Sequence, residues 1–238
     1  EKLADKITLF EVAVPRVAKK AQAGQFVIIR LAEGGERIPL TIADHDRKAG
    51  TITLVVQEIG HTTKQMSSLE AGQGILDVTG PLGHPSHIVK DKTVVVIGGG
   101  VGIAPIFPIA RAFREAGNKV IAIIGAKSKA LLFWQEKMQK VSNELLIATD
   151  DGSAGHKGFV TDVLKEVLNK EKVGLVVAVG PGVMMAAVAK VVPQEVGLVV
   201  SLNSLMVDGT GMCGGCRVTV GGKTRFTCVD GPEFDGHQ

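Results

Sequence analysis

The three cysteines of this chain lie close together near its C-terminus, in the pattern Asp208-x4-Cys213-x2-Cys216-x11-Cys228. Several glycines surround the first two cysteines, and glycine tolerates the positive φ angles that a tightly wrapped loop requires. Residues 217–227 read as two short strands joined by a Gly-Gly turn, which is typical of a hairpin. Because the hairpin reverses the chain, it would return Cys228 to the side of Cys216. The tail is therefore constrained to fold as a loop and a hairpin that gather the thiols.

This spacing is similar to the iron–sulfur run C-x4-C-x2-C…C of plant-type [2Fe–2S] proteins, with an aspartate in the first position. A [2Fe–2S] cluster needs four ligands, usually thiolates, and a carboxylate can take the place of the missing cysteine. The predicted ligands are therefore Asp208, Cys213, Cys216 and Cys228. A protein with such a cluster passes single electrons.

Other uses of these side chains stay open at this point. Three cysteines could bind zinc, although zinc sites usually combine paired C-x2-C elements. They could also form one disulfide and leave one free thiol. Asp208 precedes a glycine, and Asp-Gly is a common turn pair, so Glu233 or Asp235 could supply the fourth ligand instead.

Composition limits the function classes. A chain of 238 residues with 45% hydrophobic residues and 30 glycines suits a globular α/β protein of two domains and a small appendage. The net charge is only +3 without a basic stripe, which argues against nucleic acid as a partner. The longest uncharged stretch, 93–110, contains four glycines and two prolines and is too broken to span a membrane. No targeting segment is recognised, and clustered cysteines suit a reducing compartment, so we expect a cytoplasmic protein.

The first part of the chain, residues 1–90, is predicted to form a small antiparallel β-barrel. Its segments are short, rich in β-branched residues and separated by turns, a pattern typical of barrels. One helix is expected at 63–69. The clearest strands are 7–12, 25–30, 39–42 and 51–56.

From residue 93 the pattern changes to alternating strands and helices. Five strands with helical crossovers predict a doubly wound parallel sheet. This second domain is placed at 91–200, and the cysteine segment at 201–238. The predicted strands are 93–97, 120–124, 145–148, 175–179 and 197–200, and the predicted helices are 105–116, 131–141, 159–168 and 183–191.

The first strand of this sheet leads into a glycine-rich loop at residues 98–105, Gly-Gly-Gly-Val-Gly-Ile-Ala-Pro. Glycines let backbone amides approach a pyrophosphate, and the N-terminus of the next helix favours negative charge. The loop departs from the G-x-G-x-x-G fingerprint, because Ile103 stands in the third glycine position. The second strand ends without an acidic residue, near Lys127 and Lys129. By these criteria the sequence does not match a standard NAD-binding site. The alternative is that the loop is an ordinary tight turn between a strand and a helix.

Two further loops follow strands of this sheet, at 149–153 and 180–184. Ligands bind at the carboxyl ends of strands in open α/β sheets. Asp150 or Asp151 could hold a ribose or a carboxamide, or either could be a capping or turn residue. In the barrel, Arg37 could neutralise a flavin diphosphate. Thr62 and Thr63 could bind phosphate at a helix N-terminus, with an ordinary helix cap as the alternative.

Together these features resemble the ferredoxin–NADP reductase superfamily, in which a flavin barrel precedes a pyridine-nucleotide domain. The cysteine tail narrows the resemblance to the branch of the dihydroorotate dehydrogenase B electron transfer subunit. Within it, the chain is most similar to the small FAD-containing subunits of NAD-dependent ferredoxin:NADP oxidoreductases, also known as sulfide dehydrogenase subunits. The stretches that carry the resemblance are 37–44, 98–105, 149–152, 207–216 and 228–234.

The resemblance implies an NAD(P)H-dependent oxidoreductase subunit that moves electrons between NAD(H), FAD and a [2Fe–2S] cluster, in either direction. It also implies a larger partner subunit with a second flavin and [4Fe–4S] clusters, and flavin-based electron bifurcation. Proteins of this group also have an aspartate at the position that corresponds to Asp208. NADP(H) stays possible, because Lys127 and Lys129 could suit a 2′-phosphate. In the superfamily flavin motif R-x-Y-S, Leu40 replaces the aromatic residue and Arg37 stands one place early.

The resemblance also assigns contact residues, and the cofactors are expected to do the chemistry, with Thr41 the one possible flavin-side catalytic group. The predicted FAD contacts are Arg37, Ile38, Pro39, Leu40, Thr41, Val56, Gln57, Glu58, Gly60, Thr62 and Thr63. The predicted NAD(P) contacts are Gly99, Gly100, Val101, Gly102, Ala104, Pro105, Asp150, Asp151, Gly180, Pro181 and Met184. Two alternatives remain: the electron transfer subunit of a dihydroorotate dehydrogenase B, and a binding module that has lost its cofactors.

Overall fold

The computed structural model describes residues 1–238 and divides the chain into two compact units. The first unit contains Glu1–Ser86 together with Asn203–Glu233, and the second contains His87–Leu202 together with Phe234–Gln238. The cysteine tail, which the sequence sets apart at 201–238, thus belongs largely to the compact unit of the N-terminal strands. None of the helices combines the length and the apolar character that a membrane span requires.

The first unit is built on a six-stranded antiparallel sheet. Its elements are β1 (Lys2–Ala4), β2 (Ile7–Ala13), α1 (Pro15–Lys20), β3 (Phe26–Arg30), β4 (Ile38–Asp46), β5 (Thr51–Gln57), α2 (His61–Ser67) and β6 (Asp77–Leu82). The strand order is β1-β2-β5-β4-β3-β6. The four predicted strands are present. The sequence pattern missed β6 because Gly80-Pro81 interrupts it, and both residue types are depleted in strands.

Alternation along these strands places one set of side chains in a common core. Val27 and Ile29 of β3, and Ile52 and Leu54 of β5, are completely buried in it. Met66 of α2 is buried in the same core. Burial of each such side chain contributes roughly 1.5–3 kcal/mol, so the core fixes the strand register and with it the direction in which each β4 side chain points.

The second unit is built on a seven-stranded sheet whose central strands are parallel. Its elements begin with β7 (Thr93–Gly99), α3 (Ile103–Glu115), β8 (Lys119–Ala126), α4 (Gln135–Val141), β9 (Glu144–Thr149), β10 (His156–Lys157), α5 (Val160–Lys170), β11 (Val173–Val179), α6 (Gly182–Val191) and β12 (Gly197–Ser201). The tail adds β15 (Glu233–Asp235) to this sheet, whereas its hairpin of β13 (Arg217–Val220) and β14 (Lys223–Phe226) and the short helix α7 (Thr227–Asp230) belong to the first unit.

The sheet order β10-β9-β8-β7-β11-β12-β15 confirms the doubly wound arrangement predicted for five strands. The chain leaves β7 toward β8 and later returns to its other side with β11, so the topological switch point lies between β7 and β11. Ligands of such sheets bind beside the carboxyl ends of the strands at this point. The two edge strands, β10 and β15, are too short for a sequence pattern to reveal.

One helix begins later than predicted. The sequence indicates a helix over 131–141, but α4 begins only at Gln135, and a short 3₁₀ turn covers Lys129–Leu131. The reason is Trp134, whose φ of 57° places it in the left-handed region. A residue in that conformation interrupts a right-handed helix.

Candidate cofactor sites

The first half of the cysteine loop is closed by the Asp208 side chain. One carboxylate oxygen accepts a hydrogen bond from the Thr210 amide at 2.9 Å, and the other accepts one from the Cys213 amide at 2.8 Å. These bonds, with that from Thr210 first, lower the pKa of Asp208 and keep it ionised. Asp208 is therefore ionised at the start of the loop. The two hydrogen bonds that it accepts leave lone pairs on its oxygens for a metal.

Cys216 and Cys228 lie side by side in an apolar setting. Their Sγ atoms are 3.2 Å apart, and both residues are almost fully buried. They are free thiols in one cluster with Phe26, Ile28 and Met206. Burial, followed by the neighbouring Cys216 thiol, raises the pKa of Cys228 to about 12. The predicted hairpin thus brings together two of the predicted ligands, which are twelve residues apart in the sequence.

The backbone around the sulfurs provides donors. The Gly215 amide donates to Cys213 Sγ, and the Cys228 amide donates to Cys216 Sγ, each at 3.5 Å. Amide hydrogen bonds to sulfur are one of the means by which proteins stabilise and tune iron–sulfur clusters. The structure brings the Cys216 and Cys228 thiols together, but it does not gather three or more of the four predicted ligands into one group. The residue types, three thiols and one carboxylate with amides directed at sulfur, are those that a [2Fe–2S] cluster uses.

The cysteine segment is seated on the sheet of the first unit. A methyl group on Gly209 would lie 2.6 Å from Leu82 Cδ1 and 2.9 Å from Ile28 Cδ1, so the loop backbone lies directly on β3 and β6. The Gly231 carbonyl oxygen accepts a hydrogen bond from the His84 amide at 2.7 Å. The segment is therefore anchored on both sides of its thiols.

The two alternative carboxylates have other partners. Glu233 accepts a hydrogen bond from the Ser86 hydroxyl at 2.6 Å. Asp235 accepts hydrogen bonds from the His237 amide and from the Gln238 side chain, both at 3.0 Å. Asp208 is the carboxylate that lies within the cysteine loop itself.

In the second unit, the glycine-rich loop joins β7 to α3 at the switch point. A methyl group on Gly102 would collide with the Val179 carbonyl oxygen at the end of β11, and one on Gly99 would collide with Met184 Sδ. Gly100 has a φ of +56°, which favours glycine. The loop passes so close to β11 that a side chain at position 102 has no room, whereas at Gly100 the space is open and the φ angle is the constraint.

The same contacts bring the 180–184 loop against the glycine-rich loop. A methyl group on Gly180 would lie 2.8 Å from Met184 Cε and 3.2 Å from the Gly99 Cα. The structure therefore gathers most of the predicted nucleotide contacts at the carboxyl ends of β7 and β11. Within the 98–105 segment, Ala104 is buried while Val101 and Pro105 are half-buried.

The loops that follow β8 and β9 form a second group at the same edge. The Asp150 amide donates to the Ala126 carbonyl oxygen, and the Asp151 amide to that of Lys127, both at 3.2 Å. The Asp151 carboxylate accepts hydrogen bonds from the Ser153 hydroxyl and amide, and these bonds lower its pKa. The sequence pattern assigned no role to Ser153, although an Asp-x-Ser spacing is typical of this kind of turn.

The predicted flavin contacts on β4 divide between two faces. The register pairs Thr41 with Phe26 and Leu40 with Val27. Ile38 and Leu40 pack against the core of the first unit, so Pro39 and Thr41 point to the opposite face by alternation. Arg37 is exposed just before the strand.

The remaining flavin candidates lie around the start of α2. Thr62 donates a 2.5 Å hydrogen bond to the Glu36 carboxylate, a partner that the sequence does not indicate. The Thr63 hydroxyl accepts hydrogen bonds from the Ile59 and Gly60 amides, as a helix-capping residue does. In the preceding segment Val56 is buried, Glu58 is half-buried and Gln57 and Gly60 are exposed.

Family models match two parts of the chain. Residues 203–238 match the iron–sulfur cluster binding domain of dihydroorotate dehydrogenase B, and residues 96–190 match the oxidoreductase NAD-binding domain. These matches confirm the predicted chemistry of the tail and of the parallel sheet. The individual contact residues stay predictions.

Relatives cover the whole chain. A dihydroorotate dehydrogenase B (NAD⁺) electron transfer subunit homolog of Thermotoga maritima is 48% identical over all of this chain and 84% of its own length. The electron transfer subunit of Fusobacterium nucleatum is 34% identical over 89% of this chain and 84% of its own. A solved structure of NADH-dependent reduced ferredoxin-NADP oxidoreductase, from work on flavin-based electron bifurcation, covers 99% of this chain and 86% of its own at 47% identity and a TM-score of 0.93. The predicted fold is thereby confirmed.

Proposed function

The chain belongs to the family of dihydroorotate dehydrogenase B electron transfer subunits and their homologues, and from this premise we propose that it moves electrons between NAD(H), FAD and a [2Fe–2S] cluster as the small subunit of an electron-bifurcating oxidoreductase. It is an NAD(P)H-dependent oxidoreductase subunit of the ferredoxin–NADP reductase type. The bound cofactors supply hydride exchange at the nicotinamide, division of the electron pair at the flavin and one-electron transfer at the cluster. The protein's own share is to bind and orient these groups.

The observation that carries this proposal is the pair of thiols in the first unit. Cys216 and Cys228 are buried 3.2 Å apart on the same sheet that bears the predicted flavin contacts. We assign Cys216 and Cys228 as one pair of cluster ligands, and Asp208 and Cys213 as the other. Residues 1–90 would hold FAD, residues 91–200 the nucleotide and residues 201–238 the cluster.

For the nucleotide, we assign the binding site to the carboxyl ends of β7 and β11. The N-terminus of α3 carries the positive end of the helix dipole, which favours a pyrophosphate. Gly99, Gly102 and Gly180 let the two loops approach closely, because a side chain at any of these positions would meet atoms of the other loop or of β11. The supporting observation is that both loops lie at the switch point of a matched NAD-binding domain.

For the flavin, we assign Pro39 and Thr41 to the face that receives the ring, because their neighbours Ile38 and Leu40 point into the core. Arg37 is exposed and would neutralise the diphosphate. Thr62 and Thr63 already have partners in Glu36 and in the backbone of α2. Their contribution to FAD binding would therefore require exchange of those hydrogen bonds.

The relatives are electron transfer subunits, which implies a partner subunit. The tail offers an apolar surface for it: Leu205 is 73% exposed and Met212 is 89% exposed, with Val207 and Val229 also exposed. Leu205 and Val207 lie beside Gly215 of the cysteine loop and Val229 beside Gly211, while Met212 precedes Cys213 in the chain. Monomeric proteins rarely expose contiguous apolar patches. We assign this surface to the larger subunit, which in the proposed complex carries a second flavin and [4Fe–4S] clusters.

A second candidate is the electron transfer subunit of a dihydroorotate dehydrogenase B, because most of the named relatives carry that description. The partner subunit distinguishes the two. Dihydroorotate-dependent reduction of the co-purified complex would favour this candidate, whereas ferredoxin-dependent reduction would favour the bifurcating enzyme.

The test of the proposal is anaerobic mixing of the cofactor-loaded protein with NADH while its visible spectrum is recorded. We expect bleaching of the flavin absorbance by NADH and reduction of a one-electron acceptor. Absence of bleaching with both NADH and NADPH would overturn the proposal. A colourless protein after anaerobic purification would instead favour a binding module without cofactors.

A further inference from the structure

The loops after β8 and β9 are linked by three hydrogen bonds beyond the end of the sheet. Two are the amides of Asp150 and Asp151, which donate to the carbonyl oxygens of Ala126 and Lys127. The third is a side-chain bond, in which the Lys129 amide donates to the Ser153 hydroxyl oxygen at 2.7 Å. The sheet pairing is thus continued by a side chain at the point where backbone pairing stops.

Ser153 is in turn oriented by Asp151. The Ser153 hydroxyl donates to Asp151 Oδ1 at 2.6 Å, and the Ser153 amide donates to the same oxygen at 2.9 Å. The hydroxyl hydrogen is therefore directed to Asp151, and an oxygen lone pair faces the Lys129 amide. The Ser153 hydroxyl thus links the β8 loop to Asp151, because it accepts one hydrogen bond and donates the other.

The neighbouring carboxylate is in a different situation. Asp150 is exposed, and no hydrogen bond or ion pair holds its side chain, whereas that of Asp151 is occupied by Ser153. The two aspartates, equivalent in the sequence, are distinct in the structure. Asp150 is the one that can accept hydrogen bonds from a ligand without breaking an existing contact.

The charges around this pair are mainly positive. Lys127 and Lys129 are exposed on the β8 loop, and the Lys157 stem lies 2.9 Å from the place where a methyl group on Gly152 would be. No ion pair engages any of these three ammonium groups. The loop after the second strand of such a sheet is the place that distinguishes a ribose 2′-hydroxyl from a 2′-phosphate.

We propose that Ser153, oriented by Asp151, is a positioning residue that fixes the Lys127–Lys129 loop for the adenosine ribose of the dinucleotide, and that Asp150 is the carboxylate that accepts the ribose hydroxyls. This inference rests on the proposed function and names the part of the nucleotide site that selects between NAD(H) and NADP(H). Asp150 favours the free 2′-hydroxyl by accepting its hydrogen bond and by repelling a phosphate. Without Asp150, the only carboxylate of the pair left beside the three lysines is that of Asp151, which is occupied by Ser153.

The test uses the flavin- and cluster-loaded protein. Calorimetry gives the dissociation constants of NAD⁺ and NADP⁺, and steady-state oxidation of NADH and NADPH with ferricyanide gives KM and kcat. The variants are Ser153→Ala, Ser153→Thr, Asp150→Asn and the charge-matched Asp151→Asn. Thermal unfolding and flavin content of each variant show that its fold is retained.

For Ser153→Ala we expect KM and the dissociation constants to rise about tenfold for both nucleotides, with kcat changed less than about twofold, because positioning and not chemistry is lost. Ser153→Thr retains the hydroxyl and is expected to restore binding. Asp150→Asn should change the preference between NAD⁺ and NADP⁺ by about tenfold toward NADP⁺. Asp151→Asn should weaken both nucleotides equally and leave that preference unchanged.

The inference is overturned if Ser153→Ala binds both nucleotides like the wild type, or if Ser153→Thr is as impaired as Ser153→Ala. It is also overturned if Asp151→Asn changes the preference and Asp150→Asn does not. A wild-type protein that binds neither nucleotide would instead refute the proposed function itself. The two failures are therefore distinguishable by the wild-type measurement alone.

Discussion

The glycine-rich loop after β7 and the glycine-rich cysteine loop of the tail use glycine for different reasons. At Gly102 the φ angle is an ordinary −61°, but any side chain would collide with the Val179 carbonyl oxygen. At Gly214 the φ angle is +67°, yet a methyl group would meet no atom closer than 3.5 Å. Glycine is therefore required at position 102 by the close approach of the β11 backbone, and at position 214 by the left-handed conformation of the loop backbone.

This contrast teaches that similar sequence patterns arise from different physical constraints. A collision with backbone atoms is costly for every residue other than glycine, because backbone cannot rotate away. A left-handed φ is costly for most residues but much less so for asparagine. The two loops should therefore respond differently to the same pair of substitutions.

The largest effect is expected from Cys228→Ser, which removes a buried thiol that we assign as a cluster ligand, without altering the nucleotide loop. The cluster signal in electron paramagnetic resonance should be lost, while NADH should still bleach the flavin. The measurement is spectroscopy of the purified variant beside the wild type. A variant that keeps the full cluster signal would show that Cys228 is not a cluster ligand. The glycines of the tail would then not surround a cluster that Cys228 binds.

The next largest effect is expected from the substitution Gly102→Ala. The added methyl group must displace α3 or the end of β11, and overpacking of this kind costs typically 1–3 kcal/mol. We expect a lower midpoint of denaturant unfolding and weaker NAD⁺ binding, and Gly102→Asn should be worse still. Unaltered stability in both variants would contradict the steric role of this glycine.

In the tail the order of the two substitutions should reverse. Gly214→Ala places a Cβ atom in a left-handed conformation at a cost of roughly 1–2 kcal/mol, whereas Gly214→Asn should be milder because asparagine visits this region more readily. The measurements are unfolding midpoint and iron content of the two variants. Equal losses in both would mean that space, and not backbone conformation, requires glycine there.

The smallest effect concerns Glu233, which anchors the end of the tail to Ser86. Burial raises the pKa of Glu233, and the Ser86 hydrogen bond partly offsets this. The folded state therefore holds the proton more tightly than the unfolded chain. This stabilisation is complete below the ordinary value of 4.5 and is lost as pH rises through the raised pKa.

Glu233→Gln removes this titration but keeps a hydrogen-bond acceptor for Ser86. We expect the variant to gain stability relative to the wild type as pH rises from 5 to 8. Denaturant unfolding of both proteins at the two pH values provides the check. A difference in stability that is the same at both pH values would contradict the assignment.

Much of the fold could be read from the sequence where burial imposes a long pattern. The continuous apolar run of β7 and the alternation of β2 and β5 are examples. Four strands could not be found this way: β6 contains Gly80-Pro81, β10 has two residues, and β1 and β15 have three each. The late start of α4 depends on the left-handed conformation of Trp134, which no local residue preference indicates.

The cysteine site was more accessible to sequence reasoning than the nucleotide site. The predicted ligands Asp208, Cys213, Cys216 and Cys228 follow from their spacing, which is a property of the chain itself, and the hairpin that joins Cys216 to Cys228 is local. The different roles of Asp150 and Asp151 cannot be recognised from the sequence, because they depend on Ser153 and on the neighbouring β8 loop. Likewise, the Glu36–Thr62 contact joins residues from separate elements.

The most direct test of the account is iron, sulfide and flavin analysis with electron paramagnetic resonance of the anaerobically purified complex, for the wild type and for Asp208→Cys. The account predicts equimolar iron and sulfide, bound FAD and a [2Fe–2S] signal that shifts in the variant, because a thiolate replaces a carboxylate on one iron. A [2Fe–2S] signal unchanged by the substitution would exclude Asp208 as a ligand. Zinc in place of iron would contradict the electron-transfer function of the tail.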